Sequence, residues 1–278
     1  MPTPLGDASM DEEAVDRFAF GRNWKKYVQT VGEVEIGAAV DSLRRFLGDI
    51  DPAGASFLDI GCGSGLFSAA ACRLGFARVV SFDYDSHSVE ATKMLRSRAV
   101  PPDRWTITRG SVLDDDFMRG LGQFDVVYSW GVLHHTGDMW AAVERALAAV
   151  APGGRAFIAL YNDQGWISAY WKVVKLTYVR SPVPVRALIA ASFYLYFGVG
   201  LFIADLIRFR NPLSRHAGDR RGMKFRYDVI DWVGGYPFEV ARPEDVESRA
   251  KALGFDCRCV FFAGRRHGCN EYLLRRRS

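Results

Sequence analysis

Apolar and polar positions follow two rhythms along this chain, and the change of rhythm divides it. Between Asn23 and Asp49, "NWKKYVQTVGEVEIGAAVDSLRRFLGD" places apolar residues at three- and four-residue spacing, which predicts helix. From residue 56 the pattern becomes an alternation of short apolar runs and helical stretches. "SFLDI", "RVVSFD", "WTITRG" and "FDVVYSW" read as strands, and "APGGRAFIALY" as a Pro-Gly turn feeding a fifth. "GLFSAAACRLG", "SHSVEATKMLRSR" and "DMWAAVERALAAV" read as the helices between them. Short apolar strands separated by helices of that length predict parallel βαβ units.

The alternation stops after Tyr161 and resumes near the end, where "PEDVESRAKALGF" reads as a helix and "DCRCVFF" and "GCNEYLL" as strands. Those two strands are too close for a crossover helix between them, so they are expected to pair antiparallel. The expected organisation is an N-terminal helical segment (1–50), an α/β core (51–161), a helical insertion or substrate lid (162–240), and a terminal helix and hairpin completing the core sheet (241–278).

Composition narrows the function. At 278 residues, 49% hydrophobic and 24% charged, the chain is ordinary globular material. A net charge of +4 from scattered bases, with Arg275–Arg277 as a solvated tail, points away from nucleic acid. The first residues lack the basic and apolar regions of a signal peptide, and five cysteines, an odd number, suit a reducing compartment. A cytoplasmic location is expected, with attachment at the inner membrane left open. A hairpin could gather Cys257, Cys259, His267 and Cys269, but C-x-C spacing fits zinc poorly, so no metal is expected.

The chemistry gathers at the strand ends. "LDIGCGSG" turns from the first strand into a helix through Gly61, Gly63 and Gly65, at the sheet edge where ligands of such folds bind. Glycines there allow a tight turn and close approach of a ligand. The third glycine comes one residue earlier than in the G-x-G-x-x-G of nicotinamide-dependent enzymes, and no lysine marks a phosphate loop. Asp83, closing the second strand, suits a ribose diol, while Asp85 reads more simply as a helix-start acid. "GSVLD" follows the third strand and offers a rim for an adenine.

Taken together, "LDIGCGSG", "SFDYD", "GSVLD" and "FDVVYSWGVLHHTGDM" resemble the class I S-adenosylmethionine-dependent methyltransferases in order and spacing. The resemblance implies a Rossmann-like sheet of seven strands, mostly parallel with the last antiparallel, helices on both faces, and S-adenosyl-L-methionine as cofactor. It also implies roles. Asp59 and Gly61–Gly65 would hold the methionine end, Asp83 the ribose, Tyr84, Ser111 and Val112 the adenine, and Trp130 would approach the methionine portion.

Methyl transfer to a hydroxyl also needs a proton acceptor, and His134 and His135 follow the fourth strand on the substrate side. His135 is favoured by the resemblance. Tyr161, Asn162 and Asp163, then Asp231, Tyr236 and Glu239, then Asn270 and Glu271, are expected to supply a polar pocket for a small acceptor such as a sugar, an amino acid or a natural-product intermediate. "YNDQGW", "DWVGGYPFEVA" and "GCNEY" resemble a bacterial small-molecule subgroup, from which "AGRRHGCNEY" departs by its two arginines and histidine. Residues 187–207, "ALIAASFYLYFGVGLFIADLI", carry one acid and are flanked by arginines. A single membrane crossing there is excluded, because the chain must return to finish the same sheet. The open readings are a lid, a homodimer contact, or a peripheral membrane contact bent at Gly198 and Gly200, the last implying a lipid or quinone-like acceptor.

Overall fold

The computed structural model describes residues 18, 20–99, 104–207, 225–264 and 268–277. Among these, one compact unit takes in residues 20–165 and 239–277, and another Phe18, 166–207 and 225–238.

The first unit is built on β1 (Ser56–Ile60), β2 (Arg78–Asp83), β3 (Trp105–Arg109), β4 (Phe124–Trp130), β5 (Val150–Tyr161), β6 (Phe255–Phe261) and β7 (Cys269–Arg276), in the order β3-β2-β1-β4-β5-β7-β6. The ladders from β3 to β5 are parallel, and β7 runs antiparallel to both β5 and β6. The seven-stranded sheet expected from the sequence is therefore present. Alternation along β1 explains its two faces. Leu58 and Ile60 join the core that holds Val80, Phe82, Val127 and Ile158. Phe57 turns to the opposite face, where Phe57, Tyr128, Phe157 and Phe46 form a stacked row with ring centroids 3.7–6.0 Å apart. By the same alternation Asp59 lies on that second face.

Helices α1 (Gly21–Tyr27) and α2 (Glu33–Leu47) precede the sheet, and α3 (Leu66–Leu74), α4 (Ser86–Ala99), α5 (Asp115–Leu121) and α6 (Met139–Ala148) connect its strands. The helical run expected from Asn23 to Asp49 is broken. Tyr27 leads into a 3₁₀ turn, and Gly32 starts α2 with its N–H donating to the Glu35 carboxylate at 2.8 Å. The sequence pattern also passed over α5, a seven-residue helix that Asp114 caps by accepting from the Phe117 N–H at 3.0 Å. The Pro-Gly stretch lies inside β5, where Phe124 pairs with Val150 and Val126 with Arg155, so the ladder absorbs it as an irregularity.

The second unit contains α7 (Trp166–Arg180), α8 (Val183–Ile207) and α9 (Phe225–Gly234). They close on Tyr178, Val179, Val229 and Val233, flanked by Phe193, Phe197 and Trp232. Lys175 is wholly buried; its ammonium donates to the Trp232 carbonyl and lies 4.5 Å from the Trp232 ring centroid. The helix α8 runs unbroken through Gly198 and Gly200, so the bend that one of the open readings would place there is not formed. Finally α10 (Pro243–Ala252) returns to the first unit and leads into β6.

Candidate active site

The turn after β1 is set by its glycines. Gly61, Gly63 and Gly65 have φ of 72°, 55° and 77°, a region that costs other residues strain. Gly61 and Cys62 both donate N–H to the Phe82 carbonyl, at 2.9 and 3.1 Å, folding the loop against the end of β2. Asp83 completes the tie: Oδ2 accepts from the Gly63 N–H at 3.0 Å and Oδ1 from the Asp85 N–H at 2.9 Å. The Ser88 hydroxyl also donates to this carboxylate, which keeps acceptor capacity for a ribose hydroxyl. Burial pushes Asp83 up to about 6, against the opposing pull of those two N–H groups.

Asp59 does a different job. On its face of the sheet it accepts from the Ser68 hydroxyl of α3 at 2.5 Å, and Ser68 meets Ser81, whose oxygen accepts from the Trp105 indole N–H at 2.7 Å. Burial is the main cause that raises its carboxyl to about 7. This buried chain locks α3 to the sheet beneath the loop. The carboxylate fixes the loop's footing.

The glycines also differ in detail from the expectation of open space for a ligand. A Cβ on Gly61 would lie 2.4 Å from Val132 Cγ1, one on Gly63 3.0 Å from the Trp24 ring, and one on Gly65 2.7 Å from Thr92 Cγ2. Protein side chains, rather than bare space, crowd these three positions. Trp24 belongs to α1, which the reading of the sequence did not place beside the loop. The α1 helix is held across the loop by the Gly21 N–H donating to Asp85 Oδ2 at 2.8 Å and by the Lys25–Glu90 ion pair. Phe20, just before it, lies 5.1 Å from the His135 ring. Aromatic residues spaced by four, Phe20 and Trp24, were the available signal. Asp85 thereby serves as an anchor for α1 rather than as a cap alone.

On the adenine side, the Gly110 N–H donates to the Asp83 carbonyl at 3.1 Å, holding the "GSVLD" turn beside the ribose candidate. Ser111 Oγ accepts from the Leu113 N–H at 3.2 Å, and Tyr84 is partly exposed at the same edge. Val112 is buried in the main core, which leaves its backbone as the part facing the edge. The acceptors and apolar groups at this edge suit a neutral ribose, an adenine and a positively charged sulfur, and Arg109 there donates to the Tyr84 carbonyl at 3.2 Å. The residues present therefore fit S-adenosylmethionine.

Next to this site, Leu133–His135 form a 3₁₀ turn. His134 is fully buried, its ring centroid 3.9 Å from that of Tyr161, while the half-buried His135 lies 5.4 Å from Tyr161, nearly perpendicular to it. Trp130 is partly exposed and donates its indole N–H to Glu271 at 3.1 Å.

The polar residues expected to line an acceptor pocket are largely engaged with the fold. Glu239 accepts from the N–H groups of Gly137 and Met139 at 3.1 Å each, capping α6, and its own N–H donates to the His134 carbonyl at 3.0 Å. Asp163 accepts from the Gly165 N–H at 2.8 Å. Buried Asn270 donates to Asn162 at 2.9 Å and accepts from the Ala263 N–H at 3.0 Å, stitching β7 to β5. Tyr236 is partly buried and packs against the second unit's core, and Asp231 lies on α9 with its side chain outside the described residues, as are Arg265–His267. Among the described residues, no cluster of three or more His, Cys, Asp or Glu is placed to hold a metal ion.

This geometry agrees with comparisons to known proteins. Residues 33–259 match a family model described as a methyltransferase domain. Curated relatives include ubiquinone biosynthesis O-methyltransferases of Xanthomonas axonopodis pv. citri, 32% identical over 41% of this chain and 46% of that protein, and of Methylobacterium sp., 38% identical over 42% and 45%. The match spans about half the length of these relatives. In three dimensions the chain resembles magnesium protoporphyrin IX methyltransferase from Synechocystis PCC 6803, solved with bound S-adenosylhomocysteine, at a TM-score of 0.56 and 14% identity over 97% of this chain and 100% of that one. With the sheet order, the glycine turn, the Asp83 carboxylate and a family match covering most of its length, the chain belongs to the class I S-adenosylmethionine-dependent methyltransferases.

Proposed function

We propose that this methyltransferase acts on a hydroxyl oxygen carried by a small, planar acceptor, and that His135 takes the hydroxyl proton. When bound, the cofactor supplies a methyl group already activated for in-line displacement by the positive charge on its sulfur. The chain's task is then to orient the acceptor oxygen, exclude water and receive one proton.

The observation that carries this reading is the cluster of Phe20, His135 and Tyr161 rings beside the glycine loop, 5.1 and 5.4 Å from His135. Flat aromatic walls favour a flat acceptor. A half-buried imidazole suits a proton acceptor near neutrality, whereas fully buried His134 suits a positioning role beneath Tyr161. Commitment of Glu239, Asp163, Asn162 and Asn270 to internal hydrogen bonds supports a flat acceptor over a sugar or an amino acid. The O-methyltransferase names of the curated relatives favour oxygen over nitrogen.

The test is a mass-shift screen with methyl-labelled cofactor against catechols and phenols alongside sugars and amino acids. Methylated phenols, with turnover in His135→Ala reduced by about 10²–10⁴-fold and cofactor affinity within about twofold of wild type, are expected. Methylated sugars or amino acids would return the acceptor to the polar class, and unchanged turnover in the variant would remove His135 from the chemistry.

A further inference from the structure

The second unit ends its packing too early. On α8, Ile189, Phe193 and Phe197 turn inward to the cluster formed with α7 and α9. About half a turn around the same helix, Leu188, Leu195, Val199 and Phe202 are 47–70% exposed, and on α7 Trp166 and Tyr170 are 79% and 52% exposed. A helix of 25 residues, about 37 Å long, is thus apolar on both sides, while the other described residues cover only one. The stretch Val183–Gly200 is long and apolar enough to cross a bilayer, and no residue of it is fully buried.

Charge decides what covers it. Residues 164–204 contain four Lys or Arg and no Asp or Glu, so the chain's whole net charge of +4 resides in this segment and the remainder is balanced. Lys172, Arg180 and Arg186 of this set are exposed. A second copy would set the same basic face against itself without an acid to pair. A crossing is excluded because one side of α8 is packed and the chain returns to β6 and β7. Exposed Trp and Tyr beside basic residues and an apolar stripe are the composition of an element lying in a lipid headgroup layer.

We propose that α7 and α8 dock this protein onto an anionic membrane surface, with the Leu188–Phe202 stripe in the acyl boundary and Lys172, Arg180 and Arg186 at the headgroups. This is independent of the acceptor's identity, because docking requires neither cofactor nor acceptor.

The experiment is flotation of the full chain with vesicles of phosphatidylcholine alone and with about 30% phosphatidylglycerol, at about 0.05 M and at about 0.5 M salt (about a threefold shorter screening length). Binding to the anionic vesicles, weakened by salt and at least tenfold stronger than to the neutral ones, is expected. Leu188→Glu/Leu195→Glu should lose it by tenfold or more while retaining S-adenosylhomocysteine binding. Lys172→Glu/Arg180→Glu, which leaves the apolar stripe intact, should lose the anionic preference even if the first variant does not fold. Absence of wild-type binding, equal binding by Lys172→Glu/Arg180→Glu, or a dimer in size-exclusion light scattering with no vesicle binding would each overturn the proposal.

Discussion

Lowering the pH should loosen the cofactor through Asp83. Its carboxyl is pushed up to about 6, mainly by burial, and the same two oxygens are the proposed ribose acceptors. Binding selects the ionised form, so a protonated Asp83 must release its proton before the diol can be gripped fully. The sign follows: affinity is at its plateau above about pH 7 and falls as pH drops through 6. For one fully coupled group of that pKa, the penalty at pH 5 is about tenfold in Kd, or about 1.4 kcal/mol. Calorimetric titration with S-adenosylhomocysteine at pH 7.5, 6 and 5, with circular dichroism confirming the fold at each, reads the effect. The Asp83→Asn variant, weaker throughout, should lose this component, so the ratio of wild-type to variant affinity should shrink toward acid. A ratio independent of pH would refute the linkage between Asp83 ionisation and the ribose contact.

Asp59 gives the complementary stability effect. Its folded pKa of about 7 lies above the unfolded value, so the native state binds more protons and stability declines as pH rises between about 4 and 7; Asp59→Asn should stabilise the protein at pH 8 by about 1–4 kcal/mol in urea unfolding, with little difference below pH 4. Gly65→Ala should lower stability by about 1–3 kcal/mol, from left-handed backbone strain plus the 2.7 Å approach to Thr92, and a melting temperature within about a degree of wild type would count against that. Trp24→Ala should weaken S-adenosylhomocysteine binding by about tenfold if α1 walls the site, whereas unchanged affinity would make α1 a scaffold element only.

Much of the sheet was legible because strands such as "SFLDI" and "RVVSFD" carry short apolar pairs and triplets between helices of regular length. The misses have local causes. Helix α5 is seven residues long and opens with two acids, too short for a helical period to register. The break between α1 and α2 hangs on Gly32, which an apolar spacing pattern does not see. The Pro-Gly pair inside β5 mimics a turn until the neighbouring strand's register is known. Around the candidate site, the tight glycine turn and the place of Asp83 at the end of β2 were readable, because each follows from backbone geometry or strand-end position. The use of Glu239, Asp163 and Asn270 was not, since a carboxylate or amide reads the same in sequence whether it caps α6 or faces a ligand. Only the distances to the Gly137, Gly165 and Ala263 N–H groups separate those cases.

In the proposed reaction the glycine loop and Asp83 hold the cofactor while His135 acts on the acceptor. Equilibrium binding of S-adenosylhomocysteine to wild type, Asp83→Ala and His135→Ala, measured side by side at pH 7.5, tests it most directly. Loss of affinity of tenfold or more in Asp83→Ala, with His135→Ala within about twofold of wild type, is the expected pattern, since a hydrogen-bonded charged acceptor is worth about 1.5–3 kcal/mol. Wild-type affinity in Asp83→Ala, with the variant folded, would contradict it.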